Sequence, residues 1–374
     1  MIVDLDDAEA RAALPLKWGG VAPGVLPAWV AEMDYALAPP IVAAVTAAVA
    51  RGTTGYPPLG DDGVGAAFAS YAARHWSWDV PADASVVVGD VIGGLRLTLE
   101  VLCPPGPVVV PLPCYPPFRD VVALAGREMV AVETDPDDAD GALDLEAVAA
   151  AFRAGARTLL LCSPHNPLGR VASRAELEAL AALAREHGAR VVTDEIHGPL
   201  TLPGATFTPY LSIDPSAVLV TSPSKTFNTA GLHCAQVVSL DPDDLARLRA
   251  VPLPQNHAYS PLGMIAARTA WRDCDEWHAA LLARLDAQRS LLAELLTASL
   301  PHARQRPLAA TYLAWLDLRA YGHDDPAAAA LAHGVRLAPG GDYHPGLPGH
   351  VRLNVATSPE RLEQAVERLA KALV

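Results

Sequence analysis

The middle of the chain carries short, unbroken apolar runs separated by longer stretches in which apolar positions recur at helical spacing. The runs are residues 85–89 (SVVVG), 108–111 (VVVP), 158–162 (TLLLC), 190–193 (RVVT) and 217–221 (AVLVT). They are rich in Val and Leu and do not alternate, which predicts strands covered on both faces, as in a mostly parallel sheet flanked by helices. Between them, Ser173 and Glu176 stand at capping-box spacing, and the helix they open is expected to stop at Gly188. Residues 93–102 and 143–154 also read as helices. Near Asp273 the texture changes: residues 277–300 predict one long amphipathic helix, 311–318 a strand, and 359–373 a last helix with Pro359 at its first position. The first forty residues are irregular and rich in Pro and Trp. Together these elements predict an α/β fold.

A chain of 374 residues is long for a single small core and suggests two domains sharing a site. With 51% apolar and 19% charged residues it fits a soluble globular enzyme. No apolar run is long enough to cross a membrane. The acidic start, MIVDLDDAEARAAL, lacks the apolar segment of a secretory signal, so a cytoplasmic protein is expected. A net charge of −14 argues against a nucleic-acid partner, because binding phosphate backbones needs a basic face. The five cysteines are scattered and form no CxxC pair, which predicts reduced core thiols with no disulfide frame and no metal site. Of 28 basic residues only Lys17, Lys225 and Lys371 are lysines.

Ligands of open parallel sheets bind beyond the carboxyl ends of the strands, so the residues after each run are the candidates for chemistry. They are Asp90-Val91-Ile92-Gly93-Gly94, Pro113-Cys114-Tyr115, Ser163-Pro164-His165-Asn166, Asp194-Glu195-Ile196-His197 and Ser222-Pro223-Ser224-Lys225. These groups fit pyridoxal 5′-phosphate (PLP), which needs a lysine for the imine, an acid against its pyridinium nitrogen, a stacking face and a phosphate cradle.

Lys225 is the only lysine in the central region; the alternative for it is a surface charge beside a Ser-rich turn. Asp194 directly follows a buried strand, where an unpaired carboxylate is costly and a protonated ring nitrogen would offset that cost; otherwise it is a helix cap. Glu195 should point the other way. Ile92 and Gly93 lie in a glycine-rich turn that opens a helix, where free N–H groups suit a phosphate. Ser222 and Ser224 either add hydroxyl donors or cap their own turn. Tyr115 offers a ring for stacking, and Asn166 a donor to the ring's phenolic oxygen. His165, His197 and His233 are open between acid–base and structural roles. Late in the chain, Arg352 sits in an apolar segment; it either binds the carboxylate of an amino-acid substrate or forms an internal salt bridge.

With these residues in hand, the chain resembles the fold-type I PLP enzymes of the class I/II aminotransferase superfamily. More narrowly, it is similar to the MalY/PatB branch of cystathionine β-lyases (C–S lyases). The resemblance is carried by Lys17-Trp18, residues 27–35 (PAWVAEMDY), Gly55-Tyr56, 163–169 (SPHNPLG), 193–197 (TDEIH), 222–228 (SPSKTFN), 311–316 (TYLAWL) and 351–354 (VRLN). It implies a large PLP-binding domain over residues 43–272 with a mostly parallel, seven-stranded central sheet. A smaller α+β domain would then be built from residues 1–42, which also form the site entrance, and 273–374.

It further implies a covalent cofactor link at Lys225, Asp194 on the pyridine nitrogen, Asn166 on the ring oxygen and Tyr115 stacked on the ring. His197 would also contact the cofactor, Arg352 would take the substrate α-carboxylate, and Tyr35 would line the substrate entrance. Tyr56 would reach the phosphate of a neighbouring subunit, which makes the active form a homodimer. Aminotransferases of the superfamily carry an arginine eight residues after the lysine, where this chain has His233, and the glycine-rich turn departs from the commoner GVVPG.

The implied activity is PLP-dependent β-elimination from cystathionine or another S-substituted L-cysteine, giving a thiol, pyruvate and ammonia. The alternatives are an aminotransferase, or a specialised-metabolite enzyme acting on a cysteine conjugate. A non-catalytic binding or regulatory protein of the same fold is a different class, against which the presence of Lys225, Asp194 and Arg352 argues.

Overall fold

The computed structural model describes residues 1–60, 63–135 and 141–374. Its centre is a seven-stranded sheet: β1 (Ser85–Val88), β2 (Val108–Leu112), β3 (Met129–Glu133), β4 (Thr158–Cys162), β5 (Arg190–Asp194), β6 (Val218–Thr221) and β7 (Ala235–Val238). The spatial order is β1-β7-β6-β5-β4-β2-β3. Strands β6, β5, β4, β2 and β3 run parallel, while β7 runs antiparallel to both β1 and β6.

The strands lack polar alternation because both faces are covered. Leu159 and Leu161 of β4, Val191 of β5 and Leu219 of β6 pack into one apolar layer with Phe68, Tyr71, Phe152 and Trp271. Their neighbours Leu160, Val192, Val218 and Val220 pack into the opposite layer with Leu95, Phe118 and Val237. The five strands expected from the apolar runs all form, and β3 and β7 are added to them. The Ser173 capping box is present, and its helix spans Arg174–Glu186, with Gly188 in the left-handed region (φ 56°) just beyond.

Two helices frame the site, α1 (Val91–Val101), entered directly from β1, and α2 (Ser224–Phe227), one turn after β6; a third, α3 (Asp275–Ser299), lies in a separate apolar cluster. A second, four-stranded antiparallel sheet contains β8 (Arg304–Gln305), β9 (Leu313–Asp317), β10 (Ala338–Pro339) and β11 (His350–Asn354), ordered β10-β11-β9-β8. Leucines of α3 pack with this sheet, the closing helix Pro359–Leu373 and N-terminal Met33, Tyr35 and Ile41 in a third apolar cluster. The first and last parts of the chain thus share one core. No helix among the described residues is long and apolar enough to cross a membrane.

Candidate active site

A cavity of about 250 Å³ opens beyond the carboxyl ends of the parallel strands, where an open α/β sheet is expected to bind ligands. Ile92, Tyr115, Asn166, Asp194, His197, Ser222, Ser224 and Lys225 all line it, together with Ala31 from the N-terminal segment. The topology therefore brings eight of the residues singled out in the sequence to one place.

Lys225 lies on α2 and its Nζ donates to the Ala31 carbonyl at 3.1 Å. Burial, and then the nearby Arg352 cation, push its pKa down, against the pull of Glu32 and Asp194. Asp194 is the last residue of β5, and its side chain accepts a hydrogen bond from the Ile196 N–H at 3.1 Å. Burial pushes its carboxyl up to about 7, with the Ile196 N–H and Lys225 opposing. Among the described residues this carboxylate forms no ion pair, which is the condition a protonated ring nitrogen would relieve. Glu195, one residue on, faces away from the cavity: its Oε1 accepts from the Tyr210 N–H (2.8 Å) and from Thr193 Oγ1 (3.1 Å).

Arg352, on β11, is buried and lies 5.0 Å from the ring centre of Tyr343. Its Nη1 donates to Asn166 Oδ1 (3.0 Å) and its Nη2 to the Trp29 carbonyl (2.6 Å), while Nε has no hydrogen-bond partner among the described residues. No carboxylate among the described residues forms an ion pair with Arg352, so the alternative of an internal salt bridge is set aside. Because Asn166 accepts through Oδ1, its amide nitrogen is the end left to donate into the cavity. His197 is buried with Nδ1 unpartnered among the described residues, and burial pushes its pKa down to about 3. Arg352 is not itself in the cavity lining and reaches it through Asn166; within the lining, an unpartnered buried nitrogen on His197, an uncompensated carboxylate and a desolvated lysine together fit the polar groups of PLP.

The expectations for Gly93, Ser222 and Tyr35 are corrected. Gly93 does not line the cavity, and its N–H is already taken at 2.7 Å by Asp90 Oδ1, the cap of α1. The helix start is therefore shared with a carboxylate. Ser222 lines the cavity but turns its hydroxyl to the backbone, donating to the Cys234 carbonyl (2.8 Å) and accepting from the Ser224 N–H (3.1 Å). Tyr35 is not brought to the site. It is buried in the third cluster, with its OH donating to the Thr357 carbonyl at 3.0 Å, because its side of the segment faces α3 and the second sheet. Tyr56 is fully exposed on a loop and does not reach the cavity of its own chain. His165 faces a smaller cavity with Arg170 and Glu176, and His233 is half exposed, 4.0 Å from Asp90 Oδ2.

Two groups escaped the sequence reading. Lys17 is wholly buried, with its Nζ 2.8 Å from Asp34 Oδ1 and 3.0 Å from the Glu32 carbonyl; Trp18 Nε1 adds a bond to the same Asp34 oxygen at 2.7 Å. This cluster fastens the segment at residues 29–34, which supplies Ala31 to the cavity wall. Glu32 in that segment has a buried Oε2 without a partner among the described residues. The Lys17-Trp18 and WVAEMD motifs were the available signal for both.

Known proteins are similar to this one along the whole chain. A Mycobacterium leprae protein provisionally named cystathionine β-lyase is 40% identical over 96% of this chain and 94% of its own length. The cystathionine β-lyase of Corynebacterium glutamicum is 32% identical, with 98% of each chain covered. A crystal structure from Corynebacterium diphtheriae, described as a provisional PLP-dependent β-cystathionase, superposes with a TM-score of 0.94 at 33% identity, covering 100% of this chain and 99% of that one. Residues 25–369 match the family described as aminotransferase class I and II, and the chain belongs to that family.

Proposed function

We propose that this protein is a PLP-dependent C–S β-lyase that cleaves cystathionine or another S-substituted L-cysteine to a thiol, pyruvate and ammonia. The observation that carries this reading is the single cavity in which Lys225 and an uncompensated Asp194 feel one another's charge while Arg352 holds a spare donor nearby. Relatives at 32% to 40% identity bearing the lyase name over nearly their full length support the choice of reaction.

When bound, PLP supplies an electron sink that allows a proton to leave the α-carbon of an attached amino acid. The chain's own residues divide the remaining tasks. Lys225 Nζ would hold the cofactor and, when free, would accept the α-proton; burial and Arg352 lower its pKa, which favours the neutral form for that task. Asp194 keeps a proton on the ring nitrogen. Asn166 Nδ2 would donate to the ring oxygen, Tyr115 would cover one ring face, and His197 would donate or accept as a neutral imidazole. Ile92 and Ser224, at the starts of α1 and α2, receive the phosphate. Arg352 binds the substrate carboxylate and fixes which bond at the α-carbon stands ready to break.

The protein acts as a homodimer in this proposal, with Tyr56 serving the neighbouring site. Support comes from its full exposure next to Leu59, an uncovered aromatic–apolar pair on one loop. The large domain spans residues 43–272, and residues 1–42 and 273–374 form the small one.

The test is to incubate the purified protein with L-cystathionine and with an S-alkyl cysteine and to follow pyruvate and free thiol. Steady release of both is expected. Stoichiometric conversion of the cofactor to its amine form, reversed by a 2-oxo acid and without thiol release, would instead identify an aminotransferase.

A further inference from the structure

The N-terminal segment at residues 29–33 is held at every carbonyl. Trp29 O accepts from Arg352 (2.6 Å), and Val30 O and Glu32 O both accept from Asn354 Nδ2 (2.7 Å each). Met33 exchanges hydrogen bonds with the Asn228 side chain at 3.1 and 3.0 Å. The remaining carbonyl, Ala31 O, accepts from two side chains, Lys225 Nζ at 3.1 Å and Tyr312 OH at 3.0 Å. Glu32 therefore follows, on a fixed backbone, the residue that Lys225 already touches.

Its carboxylate has an unpartnered, wholly buried oxygen among the described residues, an arrangement that is costly unless a cation arrives. The charges around Lys225 are Arg352 on β11, Asp194 at the end of β5 and Glu32 on this segment. Both carboxylates favour the charged lysine, and neither forms an ion pair with its Nζ among the described residues. His197 is kept neutral by burial and Tyr312 is kept protonated, so neither adds a charge near neutral pH.

We propose that Ala31 O and the Glu32 carboxylate form a seat for the ammonium form of Lys225, so that a proton taken by the freed lysine is held at Nζ against the N-terminal segment. The proposal rests on Lys225 being the cofactor lysine. It bears on the choice between two outcomes that share every other residue. A proton retained at Nζ is returned slowly, which gives a leaving group on the β-carbon time to depart and disfavours transamination. Asp194 would not serve this purpose with the cofactor bound, because the ring nitrogen would engage it.

The deciding variant is Glu32→Gln, which keeps the shape and removes the charge. In cofactor-free protein, the pH dependence of Lys225 modification by an amine-specific reagent, read on the peptide by mass spectrometry, should shift to lower pH in Glu32→Gln. Glu32→Asp should lie between it and the unaltered protein. In loaded enzyme, the number of pyruvates formed per conversion of cofactor to the amine form should fall severalfold in Glu32→Gln. An unshifted modification profile in both variants, or an unchanged partition, would overturn the proposal. Borohydride reduction of the native protein, followed by mapping of the cofactor-bearing peptide, tests the assignment of Lys225 separately; a tag elsewhere would sink that reading whatever the variants do.

Discussion

Removing the guanidinium of Arg352 tests the proposed substrate-binding half of the site most directly. Two of its five N–H donors are spent on Asn166 and Trp29, so a two-point contact with a carboxylate remains available, with Nε one of the donors. Each hydrogen bond between charged groups contributes about 1.5–3 kcal/mol. In Arg352→Gln the loss of two such bonds is about 3–6 kcal/mol, and at 1.36 kcal/mol per decade that is roughly 10²- to 10⁴-fold in kcat/KM. The substrate carboxylate stays charged throughout the reaction, so most of the loss should appear in KM. The control is an S-substituted cysteamine, which has the amine and sulfur but no carboxylate. Its poor turnover should be no worse in the variant, since the group it lacks is the one the arginine serves. Equal losses on both substrates would refute the assignment and point to a collapse of the Asn166 and Trp29 contacts instead.

Three further outcomes are expected. Burial raises Asp194 to about 7 and Glu195 to about 8 in the folded chain, above the ordinary carboxylate range, so their contribution to stability is full at acid pH and is lost as pH rises through those values. The thermal midpoint of cofactor-free protein should therefore fall between acid and mildly alkaline pH, less steeply in Asp194→Asn or with cofactor bound; an equally steep fall in all three would contradict the account. Lys17→Met should destabilise the chain by about 3–5 kcal/mol in urea titration by leaving Asp34 buried without its cation, and adding Asp34→Leu should recover most of the loss. Asp90→Ser keeps a cap for α1 but removes a carboxylate from the proposed phosphate end, so cofactor loss on dialysis should slow severalfold; faster loss would show that Asp90 aids the cradle.

The parallel strands were legible because burial on both faces forces continuous Val and Leu, and that pattern is local. Strand β7 was not, since Gln236 interrupts it. The structure satisfies that buried amide with Ser85 Oγ (3.1 Å) and Trp271 Nε1 (3.2 Å), partners far away in the chain. Strand β3 is an edge strand with Ala131 and Glu133 exposed, and its pattern is too weak to stand out. The same distinction separates the site residues. Asp194, Asn166 and Lys225 announced themselves by following apolar runs. Lys17 and Asp34 lie in irregular chain, where no periodicity reveals that they face one another in a core. Tyr35 was misplaced for the related reason that an irregular segment gives no rule for which side chains face inward.

Arg352 is where these separate stretches meet, and its position has a consequence for the order of events. Its two internal bonds join β11 to the turn after β4 and to the N-terminal segment, so three stretches distant in sequence converge on one cation. That cation is also, after burial, the largest influence holding the pKa of Lys225 down. A carboxylate docked on the guanidinium neutralises much of its field, while burial and the seat at Ala31 and Glu32 are unchanged. If Arg352 takes the substrate carboxylate as proposed, amine-specific modification of Lys225 in cofactor-free protein should shift to higher pH when a carboxylate ligand is present, and an unshifted profile would refute the coupling.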